Sequence, residues 1–154
     1  MHTLKRSLLF IPLLLLSCRH EPETRLVELD YLIFGHSYGE CAGETCVEIF
    51  QLRDGVLYED TSLFIQSNAY QFTPLDNDKY LLVKDLPEYL PTQLLQSESA
   101  TFGCPDCGDQ GALIIQISEN GQEKTWFIDQ FKGEVPEYLH PFMNKVNEKI
   151  ALLQ

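Results

Sequence analysis

Four cysteines, Cys41, Cys46, Cys104 and Cys107, are the side chains of this sequence best suited to chemistry. They form two short pairs, with four residues between the first two and two between the second, and each pair sits in a glycine-containing loop ahead of a strand-like run. Three chemistries fit the pattern. Two disulfides would staple the loops in an oxidising compartment. Four thiolates from two facing loops would supply the tetrahedron that zinc prefers. Thiol–disulfide exchange at Cys104-Pro105-Asp106-Cys107 would need the motif to open a helix, whose N-terminus lowers the attacking thiol's pKa. Here Gly108 and Gly111 lead instead into the strand-like Ala112-Leu113-Ile114-Ile115. If the cysteines are bridged, pairing within each loop contributes about 2 kcal/mol per bond, whereas a bridge between loops about 60 residues apart would contribute about 4 kcal/mol. Loop entropy therefore favours crossing, and the connectivity stays open.

The other polar candidates are weaker. His36 beside Ser37, near Glu40, has the residue types of a nucleophile and its base, but a histidine in a glycine-rich loop reads as solvated or structural. His140, between Leu139 and Pro141, reads as part of a helix start. Asp76-Asn77-Asp78 lacks the glycine and terminal glutamate of a calcium loop and reads as a helix cap. Turn chemistry explains Asp106 and Asp109. Trp126, Phe127 and Tyr138 are expected to build core, with a sugar-stacking surface as the alternative. No triad, nucleotide loop or metalloprotease helix is present, so no catalytic, cofactor-binding or metal-ligating residue is assigned.

The elements that must position these residues are legible from periodicity. From Leu26, alternation of Val27, Leu29, Tyr31 and Ile33 with Glu28 and Asp30 predicts a strand that Gly35 stops. Cys46 to Arg53 and Val56 to Glu59 predict a hairpin turning at Asp54-Gly55, and Ala112 to Glu119 with Thr125 to Ile128 predict another turning at Asn120-Gly121. Thr61 to Thr73 has room for a short extra strand. A helix is expected from Asp76, with Tyr80, Leu81, Val83 and Leu86 as apolar positions and Pro87 ending or kinking it. Leu94 and Leu95 suggest a short helix after Pro91. A last helix follows Pro136 and Glu137, its regular part starting near His140, with Leu139, Phe142, Met143, Val146, Ile150 and Leu153 along one face.

The two halves share an order. Phe34-Gly35 and Phe102-Gly103 each precede two cysteines, a hairpin and then a Pro-Glu-Tyr-Leu run, at 87–90 and 136–139. A duplicated strand-strand-helix unit would explain this, and convergence on the same local physics explains it nearly as well. The expected fold is α+β, an antiparallel sheet with helices packed on one face.

The compartment is set by the start of the chain. Lys5 and Arg6 are followed by an apolar run from Leu8 to Leu16, interrupted by Pro12 and about half the roughly 20 residues needed to span a bilayer. It ends in Leu15-Leu16-Ser17-Cys18, which resembles the lipobox of bacterial lipoproteins. The resemblance covers residues 1–18 and implies cleavage before Cys18, diacylation of its thiol and acylation of the new amino terminus. It divides the chain into a signal peptide (1–17), a lipidated cysteine and polar tether (18–25) and one globular domain (26–154). Several acyl chains make attachment stable where one is marginal. Arg19 follows Cys18 where an aspartate would resemble an inner-membrane retention signal, so the outer membrane is expected. Export in turn favours disulfides over zinc or redox cycling for Cys41, Cys46, Cys104 and Cys107.

The chain has 11 basic and 23 acidic side chains among 154 residues, for a formal charge of -12. Loss of Lys5 and Arg6 with the signal makes this -14, a poor surface for nucleic acid. With 44% hydrophobic residues the chain is a folded domain and no acidic tail. The function expected is a membrane-anchored, non-enzymatic binding or scaffolding module of the cell envelope, touching its partner through loops and edge strands. Two alternatives remain: an inhibitor of a cationic hydrolase, since opposite charge speeds encounter, and a cysteine-based redox or zinc-dependent enzyme.

Overall fold

Strand β1 (Tyr31–Ser37) is the axis of the molecule, because it pairs along its length with strands on both sides. The computed structural model describes residues 28–41, 46–62 and 70–154. On one side of β1 lie β2 (Val47–Arg53), β3 (Val56–Asp60) and β4 (Phe72–Pro74). On the other lie β6 (Ala112–Glu119), β7 (Gln122–Asp129) and β5 (Thr101–Phe102). The order is β4-β3-β2-β1-β6-β7-β5, antiparallel throughout except for the parallel pair β5–β7. Helices α1 (Asn77–Val83), α2 (Thr92–Leu95) and α3 (His140–Ala151) complete an α+β fold. Single 3-10 turns at Leu86–Tyr89, Lys132–Glu134 and Glu137–Leu139 punctuate the helical segments.

The helices cover one face of the sheet. Leu32, Phe34, Phe50, Leu57, Leu113, Ile115, Trp126 and Ile128 point into that layer and meet Val83, Leu86, Leu94, Phe142, Met143, Val146 and Ile150. Ile33, Ile49 and Ile114 form a smaller cluster with Tyr31, Val47, Tyr70 and Phe72. Side chains alternate across a strand, so this second cluster lies on the face that, among the described residues, carries no helix.

Both hairpins form where expected. Asp54 and Gly55 have φ of 51° and 75°, and Asn120 and Gly121 have 54° and 75°. Two successive positive φ values are what a type I′ turn requires. Asp30 pins the second turn, its carboxylate accepting from the Gly121 amide at 2.8 Å and from Ser118 Oγ at 2.7 Å. These two bonds hold the Asp30 carboxyl below its ordinary pKa of 3.8.

The first strand differs from its expected form. It begins at Tyr31 and runs through Gly35 to Ser37, so the glycine does not end it. A Cβ on Gly35 would stand 2.1 Å from the Glu48 carbonyl oxygen, so the missing side chain lets β2 approach. The main core takes Leu32 and Phe34, the phase opposite to Tyr31 and Ile33. With a neighbour strand on each side and apolar side chains on both faces, simple alternation does not identify the deeper face.

Helix α1 ends at Val83 and the 3-10 turn containing Pro87 follows, as the proline requires. Leu81 is 49% exposed, so it is no core position, whereas Val83 and Leu86 are buried as expected. In α3 and its flanks Leu139, Phe142, Met143, Val146, Ile150 and Leu153 are all buried. Lys149 is only 7% exposed, and its ammonium meets Asp85 Oδ1 at 2.6 Å and the Leu82 carbonyl at 2.7 Å, fastening α3 to the corner after α1.

The two halves share their order of elements but not their phase. Leu52, two residues before Asp54, packs into the helix-covered core, whereas Ser118, two residues before Asn120, pairs with Tyr31 and Glu123 on the opposite face. Aligned on their turns, the hairpins present opposite sides to the helices.

Candidate functional site

The face opposite the described helices holds a concavity of about 500 Å³, within the range of small-molecule sites. Strand pairing sets its floor. Register aligns Gln51 of β2, Ile33 of β1 and Gln116 of β6, with Thr125 of β7 next in the row. Phe127 and Glu123 flank Thr125 on β7, Tyr31 stands beside Ile33, and Tyr70 and Phe72 approach from the β4 edge. The Tyr70 and Phe72 rings are 5.2 Å apart and tilted by 37°. Phe127 is 42% exposed.

Polar groups are fixed among these rings. Tyr31 Oη donates to Glu123 Oε1 at 2.5 Å and accepts from Gln116 Nε2 at 3.0 Å. Burial, together with the adjacent carboxylate, pushes the Tyr31 phenol up to about 12, so it remains a hydrogen-bond donor at neutral pH. Burial also raises the Tyr70 hydroxyl. The result is a surface of aromatic rings interleaved with two amides, three hydroxyls and one carboxylate.

The cysteines lie at one end of the sheet, where their loops flank the end of β1. Cys41 is bonded to Cys46 and Cys104 to Cys107, with Cα atoms 5.6 and 5.4 Å apart. Disulfides therefore form as export suggested, but locally, against the crossing pattern that loop entropy favours. Each cystine is held by its own turn: the Tyr38 amide donates to the Cys46 carbonyl at 2.9 Å, and Cys107 N to the Cys104 carbonyl at 3.0 Å. The two loops still touch, since the Gly39 amide donates to Asp106 Oδ1 at 2.9 Å. Buried Asp129 braces the second loop by accepting from Cys104 N at 2.9 Å and Phe131 N at 2.8 Å. Both bonds use the sulfurs that a zinc site would need. Cys107 opens one 3-10 turn, Cys107–Asp109, and β6 follows, so no longer helix stands over that pair.

The remaining candidates fall into structural places. His36 is buried, with Nε2 at 3.3 Å from Glu48 Oε2 and its ring 5.1 Å from that of Tyr38. Ser37 is its neighbour on β1 and so points to the other face, and the pair is not assembled as nucleophile and base. His140 Nε2 lies at 3.1 and 2.9 Å from the Lys132 and Val135 carbonyls, closing the approach to α3. Asp76 caps α1 through its carbonyl, which accepts from Lys79 N and Tyr80 N. Asp106 and Asp109 both adopt positive φ, 63° and 62°, as turn residues. Trp126 is buried and Tyr138 packs on the same core. Phe127 belongs to the open face, correcting its expected place in the core: it neighbours Trp126 on β7, and adjacent strand residues cannot share a face.

Sequence reasoning did not single out Tyr31, Gln51, Gln116, Glu123 or Thr125. The signal was present in β6, where Gln116 and Ser118 interrupt an apolar run at every second residue. Cys18 lies outside the described residues, as do the signal and the whole tether. No protein-family model matches the chain, and no curated protein matches it.

Proposed function

We propose that this is a lipid-anchored, non-enzymatic binding module of the cell envelope, and that the open face of its sheet is the contact surface. The observation that carries the reading is the concavity itself, an aromatic and amide-lined hollow on the face that none of the described helices covers. The sheet edges serve less well. The edge strands β4 and β5 have three and two residues, and β4 ends in Pro74, which has no amide to donate. Short, proline-bearing edges blunt strand addition.

The anchor follows from Leu15-Leu16-Ser17-Cys18, with the outer membrane as the destination that Arg19 favours. Glu28 to Asp30 enter β1 at the end of the sheet that carries both hairpin turns, and the cystine loops stand at the other end. In this reading the hairpin turns stand at the end of the sheet nearer the tether and the cystine loops at the far end, with the open face running between.

Two experiments test this. Metabolic labelling with a fatty-acid probe should mark the wild type and not Cys18→Ser; equal labelling removes the anchor. A photo-reactive residue at position 125 or 127 in living cells should yield a discrete adduct that the same residue at position 145 of α3 does not. Indistinguishable patterns would remove the open face as the contact surface.

A further inference from the structure

We infer that the open face binds a neutral oligosaccharide of pyranose units, a proposal that rests on the contact-face reading above and names its ligand. Its starting point is Gln51. This residue is 9% exposed and lines the floor of the concavity, yet among the described residues its side-chain amide makes no hydrogen bond. No buried side-chain nitrogen or oxygen among the described residues lacks a partner, so the Gln51 amide reaches solvent at the floor and stands open there as donor and acceptor for a ligand. Thr125, in the same row, also offers a hydroxyl that bonds to no described residue.

The rest of the lining says what else the ligand must offer. Phe127 and the Tyr70–Phe72 pair line the concavity with aromatic rings, against which the C–H face of a pyranose packs by dispersion contact while its hydroxyls reach the amides and the carboxylate. Gln116 and Glu123 are held at fixed positions by the Tyr31 hydroxyl, so the polar groups are arranged before any ligand arrives. The row from β2 to β7 crosses three strand spacings, about 14 Å, which suits several linked rings better than one.

Two other ligand classes fit less well. An extended peptide is usually taken up at a sheet edge, where unpaired backbone groups add it as a further strand; here β1, β2, β6 and β7 are paired on both sides, and the floor offers side chains only. An anionic glycan would meet Glu123 in the site and a chain of net charge -12.

The test is calorimetric titration of the full-length protein in detergent with three tetrasaccharides: β-1,4-linked glucose, its N-acetylglucosamine counterpart and α-1,4-linked galacturonate. At least one neutral compound should bind, with the galacturonate at least tenfold weaker, and the preferred neutral compound reports whether an acetamido group is read. Phe127→Ala should weaken that binding at least tenfold and Gln51→Leu at least fivefold. Leu81→Ala, on the helical side, should leave it unchanged. Melting temperatures near that of the wild type show that the variants are folded; if one is not, titration shifts of the Gln116 and Gln51 side-chain amides in the wild-type protein carry the same information. No binding of either neutral sugar at 10 mM overturns the saccharide assignment, and so does binding that ignores both Phe127 and Gln51. If adducts still form at position 127 in cells, the contact face survives that failure; if they do not, both readings fall together.

Discussion

Lys149 is the residue whose environment demands most. A buried ammonium is tolerable only when paired and hydrogen-bonded, and here Asp85 and the Leu82 carbonyl supply both needs. Burial is the largest single influence on the Asp85 carboxyl and would raise it, yet the hydrogen bond from Lys149, a backbone hydrogen bond and the charges of Lys149 and Lys145 together hold the group below its ordinary pKa. Breaking a fully buried pair costs roughly 3–5 kcal/mol, and because Asp85 is about a third exposed we expect about 2 kcal/mol for Lys149→Ala, read as a lower urea midpoint. Asp30 and Tyr31 set opposite limits in pH. The folded Asp30 carboxyl binds its proton less readily than the unfolded one, so its contribution is complete above about pH 4 and is lost as pH falls further. Tyr31 is raised from 10.0 to about 12, so its contribution is complete below pH 10 and is lost as pH rises toward 12. Thermal melts across pH should show a shallower acid limb for Asp30→Asn and a shallower alkaline limb for Tyr31→Phe.

Among the elements, the two hairpins were the most legible in the sequence because their determinants are local. Asp-Gly and Asn-Gly favour positive φ whatever surrounds them, and the runs beside them are β-branched and apolar. Gly121→Val should destabilise by more than about 1 kcal/mol, since a β-branched side chain resists φ near 75° and the Gly121 amide must still reach Asp30. An unchanged denaturation midpoint would count against the turn. Helix α3 was legible for a similar reason: six apolar positions at helical spacing and prolines at its approach act within a few residues of one another. The parallel strand β5 was not, because two residues carry no periodicity and Thr101–Phe102 is a strand only by virtue of β7 beside it.

At the scale of the whole molecule, the local cystines divide labour with the core. Loops of about six and four residues give each bond about 2 kcal/mol, so the sheet and its helices must supply most of the stability. Reduction with thorough alkylation is therefore expected to lower the melting temperature by several degrees per bond without unfolding the domain, and peptide mapping of the native protein should recover Cys41 with Cys46 and Cys104 with Cys107. Collapse to an unfolded chain on reduction would contradict this division.

The sequence by itself determined the α+β class, both hairpins, the buried face of α3 and the expectation that four cysteines pair two by two, because each rests on spacing or on chemistry acting over a few residues. Tertiary structure alone decided the rest. Which phase of β1 faces the larger core depends on where the helices settle, and a strand apolar on both faces cannot announce it. Whether each cysteine bonds within its own loop or across to the other depends on turns that place Cα atoms less than 6 Å apart, a geometry that outweighs the loop-entropy advantage of crossing. The concavity is the clearest case. Tyr31, Gln51, Gln116, Glu123 and Phe127 come from four strands spread over nearly a hundred residues, each unexceptional in its own segment, and only the register of the sheet brings their side chains together on one face.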